Sequence, residues 1–390
     1  MEDAFAPARL GPVDLRNRIV KAATFEGRTP DALVTDDLIE FHAEFARGGV
    51  AMTTVAYCAV APEGRTERRQ LWMRPEAVPG LRRLTDAMHA EGAAAGAQLG
   101  HAGPVADGAE HRRPVTPSRM ISPLALRPTL RPDTTHVREL VRAHADAALL
   151  AEEAGFDAVE LHFGHNYLIS AFLSPLLNRR RDAYGGDLAG RSRLAREVAE
   201  AVREAVGGRL AITAKLNMTD GVPGGLSPDD ALRTARRLEA DGTLDALELT
   251  AGSSLLNPMY LFHGTPPRRE FAAAFPSPAL RAGLRAAGPV FLREYPYRPT
   301  YLLDLARRFR AALTMPLILL GGIAERAAVD RAMSEGFEFV AMGRGLLRTP
   351  DLVRRMQEHP GEPDRCTHCN LCMPTIYTRT RCPVADAEAG

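Results

Sequence analysis

Apolar and polar positions along the chain follow two periods. Short runs of Val, Ile, Leu and Ala, bounded by Gly, Pro or Asp, read as buried strands at 19–23, 51–57, 93–99, 158–163, 210–216, 246–251, 317–321 and 338–342. Helix-period stretches lie between most of them. In 191–206, for instance, Leu194, Val198, Ala201, Val202 and Ala205 share one face while Arg and Glu fill the other. None of these strands reads as an exposed edge. Eight βα units therefore predict a closed α/β fold, the (β/α)8 TIM barrel, in preference to a doubly wound sheet. Active residues of that fold emerge at the C-terminal ends of its strands, and Lys21, Gln98, His162 and Lys215 fall there.

Two stretches break the rhythm. Residues 103–135, rich in Pro and Arg, read as a long loop after the third strand. Residues 252–315 separate strands six and seven by far more than a usual βα connection and concentrate aromatic residues from Tyr260 to Tyr301. They predict an insertion acting as a lid or shaping a substrate pocket, with a partner-binding surface as the alternative. The expected organisation is a barrel over 1–360, with 252–315 as its insertion, and a Cys-rich C-terminal tail over 361–390.

Composition narrows the class. With 45% hydrophobic and 25% charged residues the chain matches ordinary globular proteins, which excludes disorder and fibrous repeats. A net charge of +1 provides no bulk attraction to nucleic acid or an acidic membrane, so neither partner is expected. No apolar run approaches the roughly 18–20 residues of a bilayer span. The start, MEDAFAPARL, lacks the basic and apolar regions of an export signal, and five cysteines are too few for a disulfide scaffold. A cytoplasmic location is the expectation, and a homo-oligomer is left open. Only two lysines, Lys21 and Lys215, stand among 49 basic residues, a pattern expected where a compact ammonium is needed and a planar guanidinium would not serve.

Candidate chemistry is densest in DAVELHFGHNYLISAFLSPLLNRRRDAYGG at 157–186, where His162, His165 and Tyr167 follow one another off the end of a buried strand. Two imidazoles at a barrel mouth can both donate to one substrate oxygen, and a phenol beside them can deliver a proton to carbon. Further on, GGI at 321–323 and GRG at 343–345 each follow an apolar strand and precede a helix. Glycines there let backbone N–H groups approach a phosphate, and Arg344 adds a charged contact. A Schiff-base aldolase using Lys215, with these glycine loops on a substrate phosphate, is an alternative from the same residues.

Together these motifs resemble the old yellow enzyme family of FMN-dependent ene-reductases, near its 2,4-dienoyl-CoA reductase and trimethylamine dehydrogenase branch. The resemblance is carried by HFGHNYLISAFLSPLLN and RRRDAYGGDLAGRSR, and extends to NRIVKAA at 17–23, QLGHAG at 98–103, GGI at 321–323 and VAMGRGLLRTP at 340–350. It implies an FMN-dependent NAD(P)H oxidoreductase that reduces the activated C=C bond of an unsaturated carbonyl substrate in a ping-pong cycle. Amine dehydrogenation or demethylation is the alternative within the family. By the same resemblance Gln98 meets the flavin pyrimidine edge and Lys215 lies beside its N1 and C2 carbonyl. Gly322, Gly343 and Arg344 hold the phosphate, His162 and His165 bind the substrate carbonyl, and Tyr167 protonates the α-carbon.

Two departures stand out. Asn166 replaces the usual Gly, a substitution that a left-handed turn tolerates. Phe25 stands where relatives have the Thr or Cys that meets the flavin C4 carbonyl. Either Thr24 takes that role after a small shift or the contact is lost.

Near the C-terminus, Cys366, Cys369, Cys372 and Cys382 place four thiols within 17 residues, which suggests metal before disulfide. Their spacing resembles the [4Fe–4S] motif of the same branch; structural zinc fits the same thiolates, and a metal-free tail remains open. Cys58 reads as a small buried hydrophobe.

Overall fold

The computed structural model describes residues 3–107, 113–122, 127–275 and 277–389. An antiparallel hairpin opens the chain, β1 (Ala8–Leu10) and β2 (Val13–Leu15). Eight parallel strands then close into a barrel: β3 (Ile19–Lys21), β4 (Met52–Ala59), β5 (Ala94–Gly100), β6 (Ala158–Phe163), β7 (Ala211–Asn217), β8 (Ala246–Thr250), β9 (Leu317–Leu319) and β10 (Phe339–Met342). Consecutive strands pair throughout, and β10 returns to β3. The predicted (β/α)8 barrel is thus the observed fold. Helices outside and side chains inside bury each strand on both faces, which is why the strands read as near-continuous apolar runs.

The surrounding helices start at side-chain caps. Thr35, Asp133, Asp187 and Ser227 each accept a backbone N–H three residues on, satisfying a donor that the first turn leaves unpaired. Helix Leu188–Val206 buries Leu194, Val198 and Val202 as expected, with Ala195, Ala199 and Val206 in place of Ala201 and Ala205.

The N-terminal hairpin, unforeseen in the sequence, seals one end of the barrel. Leu10 and Leu15 share an apolar cluster with Met52, Ala158, Ala211, Ile318 and Phe339, residues at or near the starts of barrel strands. The opposite end carries the functional residues. Of the loop predicted over 103–135, residues 113–122 and 127–133 form no regular helix or strand, but Gly103–Val105 form a 3-10 turn and Thr134 already starts the next helix; residues 108–112 and 123–126 lie outside the described residues. The stretch 252–315 is largely helical, with Met259–Phe262, Arg268–Ala273, Pro278–Phe291 and Leu303–Arg310. Leu303–Arg310 packs against β9 and helix Pro228–Asp241, so it belongs to the barrel's outer ring. Among the described residues no helix is long and apolar enough to cross a membrane.

Candidate functional site

At the C-terminal ends of the strands a cavity of about 560 Å3 is lined by Thr24, Gln98, His162, His165, Tyr167, Lys215, Gly322, Gly343 and Arg344. All the barrel residues expected to act together therefore meet on one surface.

Register explains its floor. Gln98 on β5 pairs with Glu160 on β6, and Lys215 on β7 lies between His162 and Glu248 of the neighbouring strands. Lys215 Nζ sits 2.9 Å from Glu160 Oε1 and 3.0 Å from Glu248 Oε1, all three side chains buried. Gln98 Nε2 donates to the same Glu160 oxygen at 2.7 Å, leaving the amide oxygen of Gln98 to accept from a ligand. Burial alone would lower the ammonium pKa, but the two carboxylates outweigh it and the net shift is upward. Burial, reinforced by Glu160, pushes the Glu248 carboxyl up to about 8. Lys215 is therefore a fixed cation. A Schiff-base nucleophile must be a neutral amine at working pH, so this pairing disfavours the aldolase alternative.

Beyond β6 the chain turns through His165 (φ 61°) and Asn166 (φ 57°), both left-handed, into the short helix Leu168–Leu173. Asn166 thus does what the usual Gly would do. Asn217 Oδ1 accepts from the His165 backbone N–H at 3.0 Å, and Thr250 Oγ1 lies 2.9 Å from His165 Nε2. The His162 and His165 ring centroids stand 5.1 Å apart, and Tyr167 packs edge-on to His162 at 4.6 Å. His162 Nδ1 is buried and has no protein partner among the described residues. Burial holds the His162 pKa well below the ordinary range, with His165 and Lys215 adding to it; burial and Lys215 hold His165 at about 3. Burial also raises the Tyr167 phenol, which keeps its proton.

The glycine turns differ in their reasons. Gly322 has φ +77°, and a Cβ there would strike Thr300 N at 2.8 Å and Arg298 O at 2.9 Å. At Gly343 a Cβ would meet nothing nearer than Thr24 Cγ2 at 3.9 Å, so its absence leaves room on the cavity wall. Arg344 is anchored by the His263 carbonyl at 2.9 Å and by Asn370 Oδ1. This set fits FMN: a buried cation and an amide oxygen suit the pyrimidine edge, and two glycine turns with Arg344 suit a phosphate.

The four tail cysteines are reduced and line a second, small cavity of about 20 Å3 together with Arg344, Arg348 and Asn370. Burial raises the thiols of Cys366 and Cys372, the latter to about 12. Among the described residues no three His, Cys, Asp or Glu side chains converge to hold a metal ion. Cys58 is fully buried, as expected.

Sequence reasoning missed the carboxylates Glu160 and Glu248, the supports Asn217 and Thr250, and the tail residues Cys372, Met373, Ile376 and Thr380 that complete the main cavity. One signal was available for the carboxylates. Each is a lone charge inside an apolar run, two residues before a polar strand end, His162 or Thr250.

The chain as a whole is similar to known proteins. The chain is 55% identical over 384 residues to the 4,4'-dithiodibutanoate disulfide reductase of Rhodococcus erythropolis, covering 98% of this chain and 95% of that one. A solved 2-naphthoyl-CoA reductase complex superposes with a TM-score of 0.83 at 25% identity, over 99% of this chain and 57% of that longer one. The old yellow enzyme homologue of Zymomonas mobilis superposes with a TM-score of 0.73 at 22% identity, over 98% of both chains, a likeness of fold. Residues 3–243 match the NADH:flavin oxidoreductase / NADH oxidase family, to which this chain belongs as an FMN-dependent NAD(P)H oxidoreductase of the old yellow enzyme type.

Proposed function

We propose that the protein reduces the activated C=C bond of an unsaturated carbonyl compound. Bound FMN supplies the hydride for this, taken from NAD(P)H and passed to the β-carbon. Gln98 and Lys215 would hold the pyrimidine edge, and Gly322, Gly343 and Arg344 the phosphate. The observation that carries the reading is the pair of buried, neutral imidazoles with Tyr167 packed against one of them. A neutral imidazole has one N–H to donate, and His162 has a ring nitrogen that no protein group occupies. Two such donors on a carbonyl oxygen favour the negative charge that develops there as hydride arrives at carbon. Tyr167, held as a phenol, then supplies the proton to the α-carbon.

Replacing Tyr167 with Phe tests this directly. Reoxidation of the reduced enzyme by an enone should slow by about 100-fold or more, the usual weight of a positioned general acid, while reduction by NAD(P)H stays close to wild type. If both half-reactions fell together, the proton-donor role would be wrong.

A second reading, reduction of an organic disulfide, is favoured by the 55% identity to a 4,4'-dithiodibutanoate disulfide reductase. Hydride would then cleave S–S to a thiol and a thiolate, with Tyr167 protonating the leaving sulfur and no oxygen for the imidazoles to hold. Replacing His162 with Ala separates the two, because enone turnover should fall while disulfide turnover changes little.

In the same reading Cys366, Cys369, Cys372 and Cys382 hold an iron–sulfur cluster and not zinc. Support comes from the small cavity they share and from a spacing that resembles the [4Fe–4S] motif.

A further inference from the structure

The barrel buries two ammonium ions and treats them differently. Lys215 is matched by two carboxylates. Lys21, 1% exposed, has no carboxylate within ion-pair distance among the described residues. Its Nζ donates to the Ala22 carbonyl at 3.1 Å and to Thr24 Oγ1 at 3.0 Å, and lies 5.5 Å and 5.3 Å from the ring centroids of Phe41 and Phe45. The nearby Glu26 is engaged elsewhere: its Oε1 accepts from Ala56 N at 2.7 Å and lies 3.1 Å from His42 Nε2. A buried ammonium whose nearest carboxylate, Glu26, lies beyond ion-pair distance and only partly offsets its burial is costly, and Met or Leu could fill this position without that cost. The charge therefore calls for a use.

Thr24 is where the charge is directed. It stands on the wall of the main cavity, and its oxygen accepts from Lys21. No acceptor for the Thr24 hydroxyl proton is found among the described residues. A hydroxyl that accepts a hydrogen bond from an ammonium must turn its own O–H away from it, and it becomes a stronger donor by polarisation. Such a donor on the wall of a flavin pocket stabilises the electron-rich reduced ring more than the oxidised one. We propose that Lys21 is a positioning residue that, through Thr24, presents a charge-assisted hydroxyl to bound FMN and raises its reduction potential. The inference rests on FMN filling this cavity.

The test is the midpoint potential of the bound flavin, read against a reference dye during slow reduction of the holoenzyme. Wild type is compared with Lys21→Met, Thr24→Val and the double variant. Each single change is expected to shift the two-electron equilibrium about tenfold toward oxidised flavin, which is about 30 mV. The double variant should shift no further than either single one, because one hydrogen bond is removed by either route. Thr24→Val is nearly isosteric on a partly open wall, and Lys21→Gln replaces Lys21→Met should the latter not fold. An unmoved potential in Thr24→Val or in the Lys21 variant overturns the proposal. So does a double variant whose shift is the sum of the singles, since Lys21 would then act as an independent charge. The flavin-to-protein ratio in the same spectra separates the two failures: no bound flavin would sink the cofactor assignment, bound flavin at an unmoved potential this inference.

Discussion

The imidazoles of the barrel mouth are neutral chiefly because they are buried, with the Lys215 ammonium adding to the effect. A ring held at about 3, or well below its ordinary value, does not titrate in the window of about pH 5–8 where exposed histidines do. Lowered values mean that both rings are already neutral throughout that window. Reoxidation of the pre-reduced enzyme by an enone should therefore show no histidine limb there, as stopped-flow traces across the range would reveal. A limb near an ordinary histidine pKa would mean that one ring is solvated, and the two-donor account would fall. Replacing His162 with Ala should slow the same step by about 100-fold, the scale of one lost oxyanion donor, with the pH profile still flat. His162, His165 and Tyr167 were legible in the sequence because three polar side chains directly follow an apolar strand. Glu160 and Glu248 were not, since a lone charge in an apolar run does not say which way it faces. Only the register that puts both beside Lys215 turns them inward.

Among the elements, the eight barrel strands could be read because burial on both faces makes each a compact apolar run between breakers. The hairpin of β1 and β2 could not. Its strands are three residues each, too short to show a period, and its role depends on Leu10 and Leu15 sharing a cluster with buried residues from seven barrel strands. The stretch 252–315 stood out as a departure from the rhythm but not as helices, and its last helix, Leu303–Arg310, belongs to the outer ring. Pro278–Phe291 has Pro289 within it and only Arg281 and Arg285 to mark a polar face, so it reads as a broken stretch and not as a helix. That helix presents Leu280, Gly283, Leu284, Ala287 and Phe291 to the main cavity. Gly283 offers a sharp test, because a Cβ built there meets nothing within 4 Å. Gly283→Leu should fit without a clash and raise stability by up to about 1 kcal/mol through helix propensity. The added side chain narrows the cavity, so KM for a bicyclic enone should rise about tenfold, roughly the worth of a misfitting hydrophobic group, while cyclohexenone is little affected. Equal loss for large and small acceptors would show that this helix does not gate substrate size.

On the scale of the whole molecule, the tail bridges two distant parts of the barrel mouth. On one side Thr380 N donates to the Glu26 carbonyl at 2.9 Å, the Thr380 hydroxyl donates to the Phe25 carbonyl, and Arg28 Nη2 reaches the Thr380 carbonyl at 2.9 Å. On the other, Thr265 N donates to the His368 carbonyl at 3.1 Å, and Asn370 accepts from Arg344 while reaching the Thr265 carbonyl at 3.2 Å. Between these anchors Cys372, Met373 and Ile376 close the main cavity. Cys372 lines both cavities and Arg344 does the same, so the cysteines and the proposed phosphate contact share a wall. A chain ending at Glu362 should lose these hydrogen bonds, worth about 1 kcal/mol each, and bind FMN at least about tenfold more weakly by flavin fluorescence. Loss of flavin alone would not say whether backbone contacts or a metal group holds the tail in place. Replacing all four cysteines with Ser removes the thiols proposed to bind metal and keeps the backbone contacts. That variant should retain FMN while iron and acid-labile sulfide vanish. If it released flavin as readily as the truncated chain, the tail would be held by its metal group, and the hydrogen bonds to residues 25–28 and 265 would follow from that and not cause it.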